Sequence, residues 1–273
     1  MSPACAQAGN LGYDPLSGST IEIAGSTTVL PIVEECANAF MANNPGSQIN
    51  VAGGGSSYGV KAVANGTVDI GTASRDLKAS EIAAYPDLMP YAIAKDGVAI
   101  VVNPANTAVT DLTMGQLQEI YTGTITNWQQ VGGTDSPIVV CTREDGSGTR
   151  DCFEQAVLKP IGGVMVGTAV IQNSNGEMRT AVAGEVNAIG YLSLGYVDSS
   201  VSAVSLDGVE PIIEKIKSGD YAISRTLRMI TNGTPDDDEQ AFLDFVLSED
   251  GQQIVADEGF IPVGIIDIDI AGS

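Results

Sequence analysis

The stretch Thr20-Ile-Glu-Ile-Ala-Gly-Ser-Thr-Thr-Val-Leu-Pro31 decides the fold. Residues 20–24 alternate apolar and polar side chains and read as a strand, and 29–41 read as a helix. Between them lies Gly25-Ser-Thr-Thr28, with no room for anything but a tight strand-to-helix turn. The unit then repeats. Residues 48–52 read as a strand, Gly53-Gly-Gly-Ser-Ser57 as the turn, 58–65 as a helix and 68–71 as a short strand. This βαβαβ rhythm predicts parallel strands with crossover helices, an α/β fold.

Further along, strands are expected at 97–103, 138–142, 188–192 and 227–231. Helices are expected at 113–121, 150–157, 177–183, 211–218, 237–247 and 251–258. Residues 1–17 are rich in Gly, Ser and Pro and read as a tether. No solenoid-type repeat occurs. The 273 residues suffice for one large α/β domain or two smaller lobes, and 44% hydrophobic against 17% charged residues is an ordinary globular balance.

Composition excludes several functions. A formal net charge of -22 repels nucleic acid and anionic membranes. Aromatics are 5% with a single Trp, too few for base-stacking platforms. With no His, neither Ser-His-Asp nor Cys-His catalysis is available, nor the usual zinc sites. No metal or cofactor is expected. The acidic run Asp236-Asp-Asp-Glu239 suits a helix start better than a metal. No apolar run reaches the ~20 residues of a membrane-spanning helix.

The four cysteines are Cys5, Cys36, Cys141 and Cys152. None forms a CxxC pair. Cys141 and Cys152 flank one glycine-rich segment; they either close a small loop by a disulfide, which would mean an oxidising compartment, or stay buried thiols. The first residues lack the basic and apolar regions of a signal peptide, as in a mature fragment given a new Met. Cys5 would then be a former lipid-anchored Cys or a partner of Cys36.

A third glycine-serine turn, Gly146-Ser-Gly-Thr149, follows Arg143 and precedes the helix expected from Arg150. Each turn puts hydroxyls and free backbone N–H groups at a helix beginning, where the helix dipole favours an anion. One such turn is adequately explained as an N-cap. Three at strand-to-helix junctions, where open α/β sheets bind ligands, point to a small oxyanion. None is a P-loop, since no GxxxxGK[ST] occurs.

At this point the chain resembles the phosphate-binding proteins of ABC-type phosphate transporters. The resemblance is carried by Gly25-Ser-Thr-Thr-Val-Leu-Pro31, Gly53-Gly-Gly-Ser-Ser-Tyr-Gly59, Asp69-Ile-Gly-Thr-Ala-Ser-Arg-Asp76 and Ile120-Tyr-Thr-Gly-Thr-Ile-Thr-Asn-Trp128. Arg143-Glu-Asp-Gly-Ser-Gly-Thr149, Ile189-Gly-Tyr-Leu-Ser-Leu-Gly195 and Met229-Ile-Thr-Asn-Gly233 complete it. It implies a type II periplasmic-binding-protein fold, a Venus flytrap of two α/β lobes joined by two hinge strands, here 97–103 and 227–231. Lobe one would hold 18–101 and 227–273, and lobe two 102–226. It also implies a monomeric, extracytoplasmic receptor, periplasmic or held at the cell surface as a lipoprotein, that is not an enzyme. Such a receptor delivers inorganic phosphate to a membrane permease.

The ligand set the resemblance implies is Thr27, Thr28, Ser56, Arg143, Ser147, Gly148 and Thr149, with an acidic ligand in the Ala73-Ser-Arg-Asp76 stretch. Arg75 is inserted there relative to the family's shorter Ala-Ser-Asp form, so Ser74, Arg75 and Asp76 compete for that position. A carboxylate facing an anion makes sense only when the ligand has a proton to donate. Asp76 would therefore reward phosphate and penalise sulfate. The competing readings are a receptor for molybdate, tungstate or sulfate, an enzyme acting on phosphate esters, and an adhesion or signalling module that keeps the fold with a dead site.

Overall fold

The structure, a computed structural model, describes residues 20–264. Its elements in chain order are β1 (Thr20–Gly25), α1 (Leu30–Asn43), β2 (Gln48–Gly53), α2 (Ser56–Ala64), β3 (Ile70–Ala73), α3 (Ala79–Ala84), β4 (Leu88–Val102), β5 (Asp111–Leu112) and α4 (Met114–Thr122). There follow β6 (Val139–Arg143), α5 (Gly148–Phe153), β7 (Val170–Gln172), α6 (Asn175–Gly184), β8 (Ala188–Ser193), β9 (Ser202–Leu206) and α7 (Ile213–Ser218). The last are β10 (Ser224–Asn232), α8 (Asp237–Leu247), α9 (Glu249–Asp257) and β11 (Ile261–Pro262).

β1 pairs in parallel with both β2 and β3, as the opening rhythm requires. α1 crosses over by laying Ile32, Val33, Cys36, Ala37 and Phe40 on the sheet, a helical stripe of apolar residues. Pro31 sits in its first turn, where a missing N–H costs nothing. In the second half β6 runs parallel to β7 and β8.

Two antiparallel strands carry the chain between halves. β4 is 15 residues long, far longer than the expected 97–103. It pairs with β10 at its start and with β8 and β9 at its end. Its Ile93 and Ala94 lie in one core with Ile23, Phe40 and Phe242. Its Val98, Ile100 and Val102 lie in another with Tyr121, Trp128 and Phe153. The same change occurs at the start of β10, between Ile223, which directly precedes it, and Leu227. The two strands therefore join two lobes, each with its own core, and the changeover on β4 falls between Ala94 and Val98, before the boundary expected at 101.

The single Trp belongs to the second core: Trp128 is buried and its Nε1–H donates to the Asn187 carbonyl at 3.0 Å. Phe153 stacks on Tyr191 with centroids 4.1 Å apart.

Of the two fates offered for Cys141 and Cys152, the structure has free thiols. Cys141 packs with Met178, Val182 and Leu192, while Cys152 packs against the core of Phe153 and Tyr191. Successive β4 residues divide between these two cores, so the sheet separates the thiols. Burial pushes Cys141 and Cys152 up to about 11, and Cys36, also a buried free thiol, up to about 12. The expected tether and Cys5 lie outside the described residues.

Candidate oxyanion-binding site

The three glycine-serine turns converge where the lobes meet. From the first, Thr28 Oγ1 lies 3.2 Å from Thr149 Oγ1 of the third, 121 residues away. From the second, Ser56 Oγ accepts from the Ser74 N–H at 3.1 Å and lies 3.3 Å from its hydroxyl. The second and third turns are joined by the Ser57 N–H donating to the Gly146 carbonyl at 3.0 Å. Thr28, Ser56, Ser74, Ser147 and Thr149 are all buried. Hydroxyls gathered so densely, away from solvent, need hydrogen-bond partners.

Each turn is shaped for this approach. The Ser26 carbonyl accepts from the N–H groups of Val29 and Leu30, closing the turn that presents Thr27 and Thr28. Ser147 caps α5, its hydroxyl accepting from the Arg150 N–H. Gly148 comes so close to the opposite lobe that a Cβ there would sit 2.3 Å from Ser56 Oγ and 2.5 Å from Ser74 Oγ. Only glycine permits that contact.

Arg143, at the end of β6, is 1% exposed. Glu144 holds its fork through Nε at 2.8 Å and Nη2 at 2.9 Å, and Nη2 also reaches Thr27 Oγ1 at 3.3 Å. Among the described residues its Nη1 has no hydrogen-bond partner. A buried guanidinium N–H aimed at nothing is costly unless an acceptor joins it. Its backbone N–H and the Thr142 hydroxyl both contact the Tyr191 hydroxyl, at 3.2 and 2.8 Å, and burial pushes that phenol up to about 12.

The cluster thus unites Thr27, Thr28, Ser56, Ser74, Arg143, Gly148 and Thr149, while the buried Ser147 hydroxyl is taken up by the α5 cap. It does not include Asp76. Of the three residues competing for the acidic position, Ser74 reaches the cluster and the chain then turns away. Arg75 is clasped by both carboxylate oxygens of Glu81 at 2.8 Å, and Asp76, 78% exposed, pairs with Arg228 at 2.6 Å. Arg228 thus holds the Asp76 carboxylate at the surface.

Sequence reasoning missed three members. Arg225 on β10 donates from Nη1 to Thr149 Oγ1 at 2.9 Å and to Ser74 Oγ at 3.3 Å, and from Nη2 to Thr28 Oγ1 at 3.1 Å. Asp96 on β4 takes Arg225 Nε and Nη2 at 2.9 and 2.8 Å, with side chains only 3% and 1% exposed. Burial drives the Asp96 carboxyl up from its ordinary value, against the pull of the Arg225 charge and the Ser193 hydroxyl. Asn175, opening α6, donates to Thr28 Oγ1 at 2.9 Å and to Thr27 Oγ1 at 3.4 Å. No local signal marks them: Asp96 directly follows Lys95 on β4 and Arg225 shares β10 with Arg228, so only their pairing across the two strands shows that they are buried.

The arrangement is a closed, donor-rich cage with no nucleophile–base pair in it, suited to enclosing an anion. Among the described residues no group of His, Cys, Asp and Glu could hold a metal, and no helix is long and apolar enough to cross a membrane. Fold and cage together define a two-lobed solute-binding protein. A family model described as a PBP superfamily domain matches residues 7–250. The chain is 35% identical over 254 residues to the phosphate-binding protein PstS of Bacillus subtilis, spanning 92% of this chain and 83% of that protein. It is 30% identical to PstS of Borreliella burgdorferi, spanning 89% and 90%. A Clostridium perfringens protein described as a phosphate ABC transporter substrate-binding protein, solved with bound phosphate, superposes with TM-score 0.85 at 43% identity, over 90% of this chain and all of that one. The chain belongs to the PBP superfamily and, within it, to the PstS family.

Proposed function

We propose that the protein is the extracytoplasmic phosphate receptor of an ABC-type uptake system, which closes its two lobes on inorganic phosphate and passes it unchanged to a membrane permease. The observation that carries this reading is the buried Arg143 Nη1, which has no hydrogen-bond partner among the described residues, on a guanidinium whose Nη2 reaches the Thr27 hydroxyl of the other lobe. A phosphate oxygen supplies the missing acceptor, and hydrogen bonds to a charged group are the strong ones. Membership of the PstS family supports phosphate over other oxyanions. In this reading a single chain suffices to bind the anion, since the cage residues named above all belong to one chain.

Titration calorimetry with phosphate, arsenate, sulfate and molybdate side by side is the test. We expect one saturable phosphate site per chain. Tighter binding of molybdate or sulfate would assign the receptor to that anion. Steady hydrolysis of a chromogenic phosphate ester would return it to the enzymes.

A further inference from the structure

One carboxylate joins the two lobes without belonging to the hydroxyl cage. Asp151 follows Thr149 by two residues in the first turn of α5, in the lobe built around Phe153 and Tyr191. Its Oδ2 lies 2.8 Å from Arg75 Nε and 2.7 Å from Lys78 Nζ. Both cations belong to the other lobe, where Ala73 and Leu77, on either side of Arg75, pack with Val60, Val63 and Ile230. The three charged side chains line a cavity of about 300 Å³ together with Cys152, Ser224 and Thr226. Apolar packing does not fill the seam there; the ion pairs cross it.

The two sides of this contact differ in kind. Arg75 is already fixed within its own lobe. Its Nη1 and Nη2 donate to the two Glu81 oxygens at 2.8 Å, Nη1 also to the Asp76 carbonyl at 2.9 Å, and Nη2 to the Ser57 hydroxyl at 2.9 Å. A guanidinium so held, only 7% exposed, loses little further freedom when Asp151 arrives. The contact to Asp151 lacks that alignment. Among the described residues neither Arg75 Nε nor Asp151 Oδ2 has a hydrogen-bond partner, so the opposite charges meet as an ion pair alone. Such a contact rests on charge, which salt screens. A single exposed pair would contribute little. Here one carboxylate, 25% exposed, meets two cations, one of them preset.

Opening the lobes separates Asp151 from Arg75 and Lys78, while Arg75 keeps Glu81. We infer that Asp151, Arg75 and Lys78 form a latch on the closed receptor, which sets how long bound phosphate stays and is tuned by ionic strength. The inference rests on the phosphate reading above. α5 carries both the latch carboxylate and the cage hydroxyl of Thr149, so releasing one frees the other to withdraw. Contacts made only in the closed state slow its opening and leave the encounter with the anion unchanged, so they act on release.

The test follows the release of radiolabelled phosphate after a chase of unlabelled phosphate. Asp151→Asn keeps the shape of the side chain and removes its charge. It should release phosphate about five- to twentyfold faster, with the association rate changed by less than about twofold. Lys78→Gln should speed release about two- to fivefold in the wild type, but by less than about 1.5-fold in the Asp151→Asn background, where its partner is already gone. Raising salt from about 0.05 to about 0.5 M should speed wild-type release severalfold and leave that of Asp151→Asn nearly constant. Release by Asp151→Asn at the wild-type rate overturns the inference, and a lowered melting temperature of its phosphate-free form alongside would make Asp151 a structural group of α5. Wild-type release that ignores salt also overturns it, as does a Lys78→Gln effect that survives in full without Asp151. A wild type that retains no phosphate overturns the receptor reading, and the latch with it.

Discussion

Asp76 lies 2.6 Å from Arg228 Nη2, on the outside of the sheet and away from the hydroxyl cage. The acceptor that would tell phosphate from sulfate is therefore not this carboxylate. We expect Asp76→Asn to leave the ratio of phosphate to sulfate affinity unchanged within about twofold, because exposed ion pairs contribute little. Competition titrations measure it. A ratio that collapses would put Asp76 back in the site.

Arg143 is different, since among the described residues its buried Nη1 has no hydrogen-bond partner and its Nη2 reaches Thr27 Oγ1 of the cage. Arg143→Ala removes the two Nη1 N–H groups, which have no partner among the described residues, and leaves Glu144 without its partner. A hydrogen bond to a charged group is worth roughly 1.5–3 kcal/mol, so phosphate affinity should fall about 10- to 150-fold. A change below about threefold in calorimetry would exclude Arg143 as a ligand.

Gly148 offers a test of closure. Its added Cβ would fall 2.3 Å from Ser56 Oγ, an overlap between lobes rather than within one. Gly148→Ala should therefore hold the lobes apart while leaving each core intact. The expected signature is phosphate binding reduced at least ~100-fold with the unliganded Tm shifted by only a few degrees, because overpacking strain of 1–3 kcal/mol is avoided by staying open. Small-angle scattering with saturating phosphate should show no compaction. Normal compaction would mean the neighbouring hydroxyls yield easily.

Much of this was legible from residue order. The turn Gly25-Ser-Thr-Thr28 and its two counterparts announced both the βα rhythm and the cage, because tight strand-to-helix turns restrict which residues fit. α8, expected at 237–247, spans Asp237–Leu247, its start fixed by Asp236 capping and Glu239 closing the box. What could not be read was long-range pairing. β7 and β9 are short and lack strong periodicity. Nothing local distinguishes Asp96 from a surface carboxylate; only the antiparallel pairing of Arg225 with Asp96 across β4 and β10 explains both. Arg75 misled for the same reason, since its true partners, Glu81 and Asp151, are set by tertiary approach.

That approach builds a clasp between the lobes. Asp151, on α5, lies 2.8 Å from Arg75 Nε and 2.7 Å from Lys78 Nζ, and Arg75 is steadied by Glu81. Burial opposes the charge on Glu81, but hydrogen bonds from Arg75 and from the Lys78 N–H, with both positive charges, outweigh it and hold the carboxyl below its ordinary value. The folded protein thus binds this proton less readily than the unfolded chain. The stabilisation is complete above the ordinary carboxylate range and disappears as pH falls through the lowered folded value. Glu81→Gln should cost about 2 kcal/mol at neutral pH, or roughly 4–8 °C in Tm. The gap between variant and wild type should close steadily in acid, as the wild type loses what the variant never had. Melting curves from neutral to about pH 3 decide it: a gap that stays constant throughout would mean that Glu81 acts by packing, not as an ionised clasp.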